Sequence, residues 1–389
     1  MHKEFKLHWL LIGELCGSFG NSFIWPLTTV YMHNQLHQPL TISGIVLMIY
    51  SFANIGGSIL AGKLFDRYQP RLLMLTGLLG ATIVMGCLVI SNDWPAYPLL
   101  LTIFGFFNGW LITLLNSFAT QVATDNSRLV FNMVYLTNNL GVVFGTMVAG
   151  PLYQLAGNSV APLFAVSIVM YLAYCIVVRF TFNIDHRQPS AAVNDRSKTA
   201  ISTRTGYLPL NITLLMMTMT IMWLAYTQWS SNLSVYLTHL GISLSLYSLL
   251  WTINGILIVI FQLVISWLTK HVTNDYLFVV VGVSSCLLSF VILTHAMSYP
   301  AFVLGMAFLT LGESTAFPTI PAIVSRLASP AVQGKYQGLL NSAISLGKAV
   351  GPLLGGIIIE LTSYQFLFLF CITIIALAEI MVIIVQRLH

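Results

Sequence analysis

The sequence predicts an all-α membrane protein of twelve transmembrane helices in two six-helix halves, and three observations carry that prediction. The chain of 389 residues is 57% hydrophobic and 7% charged, with a mean hydropathy of +0.86, which leaves too little polar surface for a soluble globule. Twelve apolar runs approach or exceed the roughly 20 residues needed to cross a hydrocarbon core. Fifteen of the sixteen Lys and Arg residues fall at the termini or in alternate gaps between those runs, and the sixteenth, Lys348, sits in the middle of one.

In order, the predicted spans run roughly over Leu7 to Tyr31, Ser43 to Gly62, Arg71 to Ile90, Tyr97 to Val122, Phe131 to Leu152 and Val160 to Phe180. A second set follows over Leu210 to Tyr236, Ser243 to Leu268, Tyr276 to His295, Ala301 to Val324, Tyr336 to Leu361 and Phe366 to Gln386. Turn-forming residues punctuate the gaps: Asn92 to Pro95, Gly157 to Ser159, Gly241, and Ser298 to Pro300. The longest polar stretch, Thr181 to about Tyr207, reads as a cytoplasmic linker over 181–209 between a first half, 1–180, and a second half, 210–389.

Orientation follows from the cations, because loops retained in the cytoplasm keep an excess of Lys and Arg. Lys3, Lys6, Lys63, Arg67, Arg71, Arg128, Arg179, Arg187, Arg196, Lys198, Arg204, Lys270, Arg326, Lys335 and Arg387 occupy the N-terminus, the even gaps or the C-terminus. The odd gaps carry His33, His37, Asp93, His239, His295 and Glu360 instead. Both termini are expected in the cytoplasm of a bacterial cell, and the pI near 8.9 reflects sidedness and not a nucleic-acid surface. The first run is too long for a signal-peptide core and eleven more spans follow, so it reads as an anchor. Cys16, Cys87, Cys175, Cys286 and Cys371 all lie inside spans as packing residues, without a disulfide framework, metal cluster or cofactor motif.

Comparing the halves exposes a repeat. The fifth span carries Gly141-x3-Gly145-Thr146-x2-Ala149-Gly150, and the eleventh carries Gly347-x3-Gly351-Pro352-x2-Gly355-Gly356, at an offset of 206. The loop after span two, Gly62-x-Leu64-x-Asp66-Arg67, aligns with Ser266-x-Leu268-x-Lys270-His271 at an offset of 204. Parallel duplication accounts for both. Small residues every fourth position let helix backbones approach closely in a bilayer, so the glycine strings are packing faces. Pro352 clashes with the carbonyl four residues back, which belongs to Lys348.

Twelve spans in two halves, with Gly62-Lys63-Leu64-Phe65-Asp66-Arg67-Tyr68-Gln69-Pro70-Arg71 between spans two and three, resemble the major facilitator superfamily. Gly62, Leu64, Asp66, Arg67 and Arg71 match its loop signature, while Gln69 and Pro70 depart. The glycine string of span five resembles the motif of that superfamily's drug-proton antiporters, with Thr146 and Ala149 in place of proline and glycine; span eleven holds the better copy. The antiporter element Arg-x-x-Gln-Gly is only partly present in span four: Gly105 replaces the arginine, Asn108 replaces the glutamine, and Gly109 matches. Leu129 to Tyr153 and Leu309 to Leu354, with Leu311-Gly312-Glu313, are similar to the lactococcal-type multidrug transporters, which also lack that arginine and use a span-ten glutamate. An aspartate they carry in span five corresponds to Val134.

Four ionisable residues lie inside spans: Glu14, Glu313, Lys348 and Glu379. Each costs roughly 2.5 to 3.5 kcal/mol at a helix centre, so each needs a reason. Glu14 and Glu379 lie within about 12 Å of the cytoplasmic face at 1.5 Å per residue, near enough to reach toward water. Glu313 lies thirteen residues from both Pro300 and Arg326, and Lys348 thirteen from both Lys335 and Leu361, which puts both near the midplane. Two readings of Glu313 stand: a carboxyl that exchanges a proton in each cycle and attracts a cationic substrate, or one clamped permanently by Lys348. Glu313, Glu14 and Lys348 form the expected proton-coupling set.

Glu14, Ser18, Asn21 and Trp25 fall on one helical face of span one. Span four offers Asn108 and Asn116, span seven Trp223, Tyr226 and Thr227, and span ten Phe317 beside the bend-forming Pro318 and Pro321. The resemblance implies that spans one, four, seven and ten line a cavity, so these are the expected substrate contacts; interhelical hydrogen bonds and plain packing are the alternatives. Gly62, Asp66, Arg67 and Arg71 are the expected conformational gate, against an ordinary cationic loop.

The sequence therefore predicts a secondary active transporter that exports hydrophobic or cationic compounds against inward proton flow, as a monomer in the lipid bilayer, with no nucleic-acid partner. A proton-coupled importer of a small polar solute and a transport-inactive sensor or lipid-handling protein are the alternatives. No constellation of an enzyme is present: there is no phosphate loop and no nucleophile with a base.

Overall fold

The computed structural model describes residues 6–65, 67–119, 122, 127–182, 210–268, 271–272, 274–327 and 333–387. Asp66 and the 183–209 part of the predicted linker lie outside these described residues. Helices account for nearly all of the described chain, and it contains no strand among them. In the first half they are α1 (Leu7–Asn21), α2 (Ile24–Val30), α3 (Leu40–Phe65), α4 (Pro70–Ile90), α5 (Ala96–Ala119), α6 (Ser127–Leu155) and α7 (Ala161–Thr181). The second half contains α8 (Leu210–Ser230), α9 (Asn232–His239), α10 (Leu244–Leu268), α11 (Asp275–Leu293), α12 (Tyr299–Leu327), α13 (Gln333–Leu361) and α14 (Tyr364–Arg387).

Eleven helical segments among the described residues are long and apolar enough to cross a membrane. The predicted first span is instead interrupted. Its helix stops at Asn21, turns at Ser22 and Phe23, resumes as α2 and runs on through a π turn over Tyr31–Gln35. At the break Pro26 has no N–H to offer Ser22 four residues back, and the Ser22 hydroxyl donates to the Phe19 carbonyl at 2.7 Å. The seventh span breaks in a matching place. Ser231, with φ −119° and ψ −80°, separates α8 from α9, and its hydroxyl donates to the Thr227 carbonyl at 2.6 Å.

By contrast, the prolines inside later spans do not interrupt them. α12 is continuous past Pro318 and Pro321, and α13 past Pro352, because side chains take up carbonyls near the gaps. Gln228 Nε2 donates to the Gly351 carbonyl at 2.8 Å and Asn232 Nδ2 to that of Pro352 at 3.3 Å. Gln262 Nε2 reaches the Ser314 carbonyl, which Pro318 leaves without an N–H, at 3.5 Å. Two turns need left-handed backbone, which glycine adopts at low cost: Gly157 has φ +65° and Gly241 φ +77°.

The helices sort into two compact units. The first holds the described residues within Met1–Gln38, Ile45–Gln188 and Ser243–Gly255; the second holds those within Pro39–Gly44, Pro189–Ile242 and Ile256–His389. Inside the first, α1 packs on α6 and α7, and α4 on α5 and α7. Inside the second, α8 packs on α13 and α14, and α11 on α12 and α14. These are the same four pairs one repeat later, so the 206-residue sequence offset is also a packing repeat.

Glycine brings the paired helices together. A Cβ added at Gly141 would lie 2.6 Å from the Ser18 Cβ, and one at Gly347 would lie 2.5 Å from the Thr220 carbonyl oxygen and 2.9 Å from the Trp223 Cβ. Distances that short are closer than real Cβ atoms tolerate, so α6 against α1 and α13 against α8 approach as only glycine permits.

Candidate functional site

Each unit holds a polar cluster built around a carboxylate expected inside a span, Glu14 in the first and Glu313 in the second. In the first unit the cluster is built on α1. Ser18 donates to Glu14 Oε1 at 2.8 Å, one helical turn apart, and Asn138 on α6 donates Nδ2 to the same oxygen at 2.7 Å and to the Ser18 hydroxyl at 2.9 Å. Glu14 is 9% exposed and Ser18 7%. A buried carboxylate needs such donors, because an uncompensated charge out of water is expensive. A small cavity of about 50 Å³ opens beside them, lined by Glu14, Asn21, Asn108, Asn138, Tyr171 and Tyr174 among others. Into this neighbourhood the Asn21 Oδ1, Tyr171 hydroxyl and Tyr174 hydroxyl bring buried polar atoms with no hydrogen-bond partner among the described residues.

The second cluster joins α8, α12 and α13. Trp223 and Tyr226 on α8 meet Phe317 on α12: Trp223 lies 4.6 Å from Phe317 between ring centres, tilted by 33°, and 5.1 Å from Tyr226, nearly edge-on at 66°. Tyr226 and Phe317 close the triangle at 5.7 Å. The Tyr226 hydroxyl donates to Glu313 Oε2 at 3.2 Å. Lys348 projects from α13 so that its ammonium stands 3.8 Å from the centre of the Trp223 ring. Lys348 makes no ion pair among the described residues; its direct contact is the indole face. Gly347 permits this, since only a residue without a side chain lets α13 lie against the Thr220 carbonyl and the Trp223 Cβ.

Of the residues expected to contact substrate, Ser18, Asn21 and Asn108 line the first cavity or bond within its walls, although Asn108 spends its amide on the Tyr50 hydroxyl at 3.1 Å. Trp223, Tyr226 and Phe317 form the aromatic triangle. Thr227 is 3% exposed, donates to the Leu224 carbonyl at 2.9 Å and is pressed against Gly351 at the joint between α8 and α13. Asn116 is exposed near the end of α5, and the side chain of Trp25 lies outside the described residues. Glu379 accepts from Ser284 on α11, which gives that charge a structural partner.

Among the expected gate residues, Arg67 is exposed in the turn after α3, Arg71 is half-buried in the first turn of α4, and Gly62 has room for a side chain, with Thr113 Cγ2 3.7 Å from an added Cβ. Of the packing residues, Gly145 abuts Ser22, Gly150 lies under Ser245, Gly355 under Gln228 and Gly356 under Leu40. Sequence patterning does not single out Asn138. The available signal is an amide three residues before Gly141, on the span whose glycines must face α1. No group of three His, Cys, Asp or Glu side chains suited to a metal ion occurs among the described residues.

A multi-pass helical protein built from two repeated bundles, each enclosing a polar cluster at membrane depth, has the construction of a solute transporter. Comparison with known proteins fixes the class. The profile of the Major Facilitator Superfamily matches residues 10–296 and 234–388. An uncharacterized MFS-type transporter of Bacillus subtilis, YttB, is 37% identical over 362 residues, covering 90% of this chain and 87% of its own length. The class D tetracycline resistance protein of Salmonella ordonez is 24% identical over 375 residues, covering 90% of this chain and 89% of its own length. Among solved structures, a point mutant of the nucleoside transporter NupG superposes with a TM-score of 0.78 at 13% identity, over 97% of this chain and 99% of that one. The chain belongs to the Major Facilitator Superfamily: it is a multi-pass membrane transporter of a small-molecule substrate, and not an enzyme.

Proposed function

We propose that the protein is a proton-coupled exporter of hydrophobic or cationic compounds, working by alternating access of its two halves, 1–180 and 210–389, with the 181–209 linker and both termini in the cytoplasm. The observation that carries this reading is the aromatic triangle of Trp223, Tyr226 and Phe317, bonded at one corner to a membrane-depth carboxylate. Flat π surfaces accept many apolar cations because they demand contact area and charge but few directed hydrogen bonds. A sugar or nucleoside site needs several such bonds, whereas this wall consists of three aromatic rings.

In this reading Glu313 takes up a proton when the cation leaves and gives it up when one arrives, so that the site never holds two uncompensated charges. Glu14, held by Ser18 and Asn138, is a second proton-exchanging carboxyl in the first unit. Gly62, Asp66, Arg67 and Arg71 form the cytoplasmic gate, and the glycine strings are stiff joints that let each half move as a body. The chain acts as a monomer in a bacterial cytoplasmic membrane. A tetracycline resistance protein and a multidrug resistance protein of Proteus mirabilis, 22% identical over 371 residues, are among its relatives, which supports export over import.

The test uses everted membrane vesicles energised to carry a proton gradient and given a fluorescent lipophilic cation. Proton-driven accumulation in vesicles with the wild-type protein, lost in Glu313→Gln, is the expected result. Accumulation that survives Glu313→Gln removes the coupling role from that residue, and no accumulation alongside nucleoside or sugar uptake by whole cells replaces the exporter with an importer.

A further inference from the structure

The aromatic triangle is already occupied. Lys348 holds a full ammonium 3.8 Å from the centre of the Trp223 ring, while the Phe317 and Tyr226 rings complete the wall and Glu313 supplies the negative charge next to it. These are the parts of a recognition site for an organic ammonium: π faces, one carboxylate, and an indole whose Nε1 has no partner among the described residues. The group that fills it is part of the same chain.

We propose that Lys348 is a tethered competitor for this site, and that a substrate cation binds the Trp223–Tyr226–Phe317 wall by displacing the Lys348 ammonium from the indole. This deepens the export reading and rests on it for the identity of the substrate as an organic monocation. Three observations favour displacement over simultaneous occupancy. The ammonium sits over the ring centre, where a cation–π contact is strongest, so no second cation can use that position while it stays. Like charges held a few ångströms apart out of water repel strongly, so a neighbouring position is no alternative. Finally, Lys348 is free to leave: its four-carbon stem has rotatable bonds that can swing the ammonium off the indole, while Glu313, bonded to Tyr226 on the same wall, stays to meet the incoming cation.

Ordinary packing gives a different expectation. If the ammonium merely anchors α13 to α8, removing it leaves affinity for cations unchanged or lowers it by loosening the wall. Competition predicts the opposite sign, because a truncated side chain no longer opposes the ligand.

The experiment measures equilibrium binding of tetraphenylphosphonium to the purified full-length chain in detergent, for wild type, Lys348→Met, Lys348→Arg and Trp223→Leu. Competition predicts that Lys348→Met tightens binding about tenfold, that Lys348→Arg stays near wild type because it keeps the charge, and that Trp223→Leu weakens it. Binding by Lys348→Met equal to or weaker than wild type, in protein that elutes as a single species, overturns the proposal. So does an absence of tetraphenylphosphonium binding in both wild type and Lys348→Met. Where Lys348→Met does not fold, Lys348→Gln carries the same prediction. Proton-driven accumulation in vesicles is scored separately, so a failure of competition leaves the export reading standing, and a failure of export does not decide the binding result.

Discussion

Asn138 is the residue that most changes the reading of the first unit. It makes one donor group serve both Glu14 and Ser18, and it does so from α6 while the other two lie on α1. Replacing it with leucine strands the Glu14 carboxylate with Ser18 alone. Hydrogen bonds to charge in soluble proteins contribute about 1.5–3 kcal/mol, and interhelical bonds in bilayers average nearer 0.6, so Asn138→Leu is expected to cost roughly 1–2 kcal/mol. A drop of several degrees in the thermal unfolding midpoint in detergent checks this, and an unchanged midpoint removes Asn138 from the structural account. The face of Glu14, Ser18 and Asn21 was legible in sequence because spacings of four and three put them on one side of a helix. Their partner was not, because helix spacing says nothing about which other helix is opposite. The neighbour of Thr227 was hidden in the same way: it lies on a polar stripe of α8, and Gly351 of α13 packs against its hydroxyl.

At the scale of the element, the sequence located helices well and their interruptions poorly. Apolar length is a property of many residues together, so eleven spans survive small errors at their ends. A break is a local property of one or two residues. Ser22 and Ser231 each turn their side chain onto a carbonyl of the preceding turn, whereas Pro318, Pro321 and Pro352, the conspicuous helix breakers, sit in continuous helices near polar side chains that accept the strain. Glycine separates joints from bystanders in a measurable way. Gly347→Val places a branched side chain against the Thr220 carbonyl and Trp223, so little folded protein is expected from membranes, together with loss of cation binding in whatever is recovered. Gly86→Ala meets nothing within 4 Å and is expected to leave yield and midpoint unchanged or to raise the midpoint slightly. Comparable yields for the two variants would contradict the close approach of α13 and α8.

For the whole molecule, duplication was the legible property, since a constant offset of 206 residues needs no structure to detect. What the sequence did not reveal is that the compact units depart from the chain halves at two helix ends. Residues 39–44, which begin α3, cluster with the second unit, and residues 243–255, which begin α10, cluster with the first. The first exchange is held by Glu360, whose carboxylate accepts from the Thr41 N–H at 2.8 Å and from its hydroxyl at 2.6 Å, and by Gly44 lying against Leu353. A carboxylate at the first N–H groups of α3 also opposes the positive end of that helix. If alternating access requires this contact to open, cysteines at Thr41 and Glu360 joined by a short bifunctional thiol reagent should stop transport, and the same cysteines unjoined should not. Transport at the normal rate after complete joining would mean that the contact stays closed throughout the cycle.

The Thr41 to Glu360 contact also has a consequence for the making of the protein. Its two residues are 319 positions apart, and at 5–20 residues per second the ribosome needs roughly 15–60 s to travel between them. Through that interval α3 is already in the bilayer with its first N–H groups lacking the acceptor they have in the finished protein. The start of α3 is therefore made early and secured late, and a nascent chain that stops before Glu360 lacks the acceptor for the Thr41 N–H and hydroxyl.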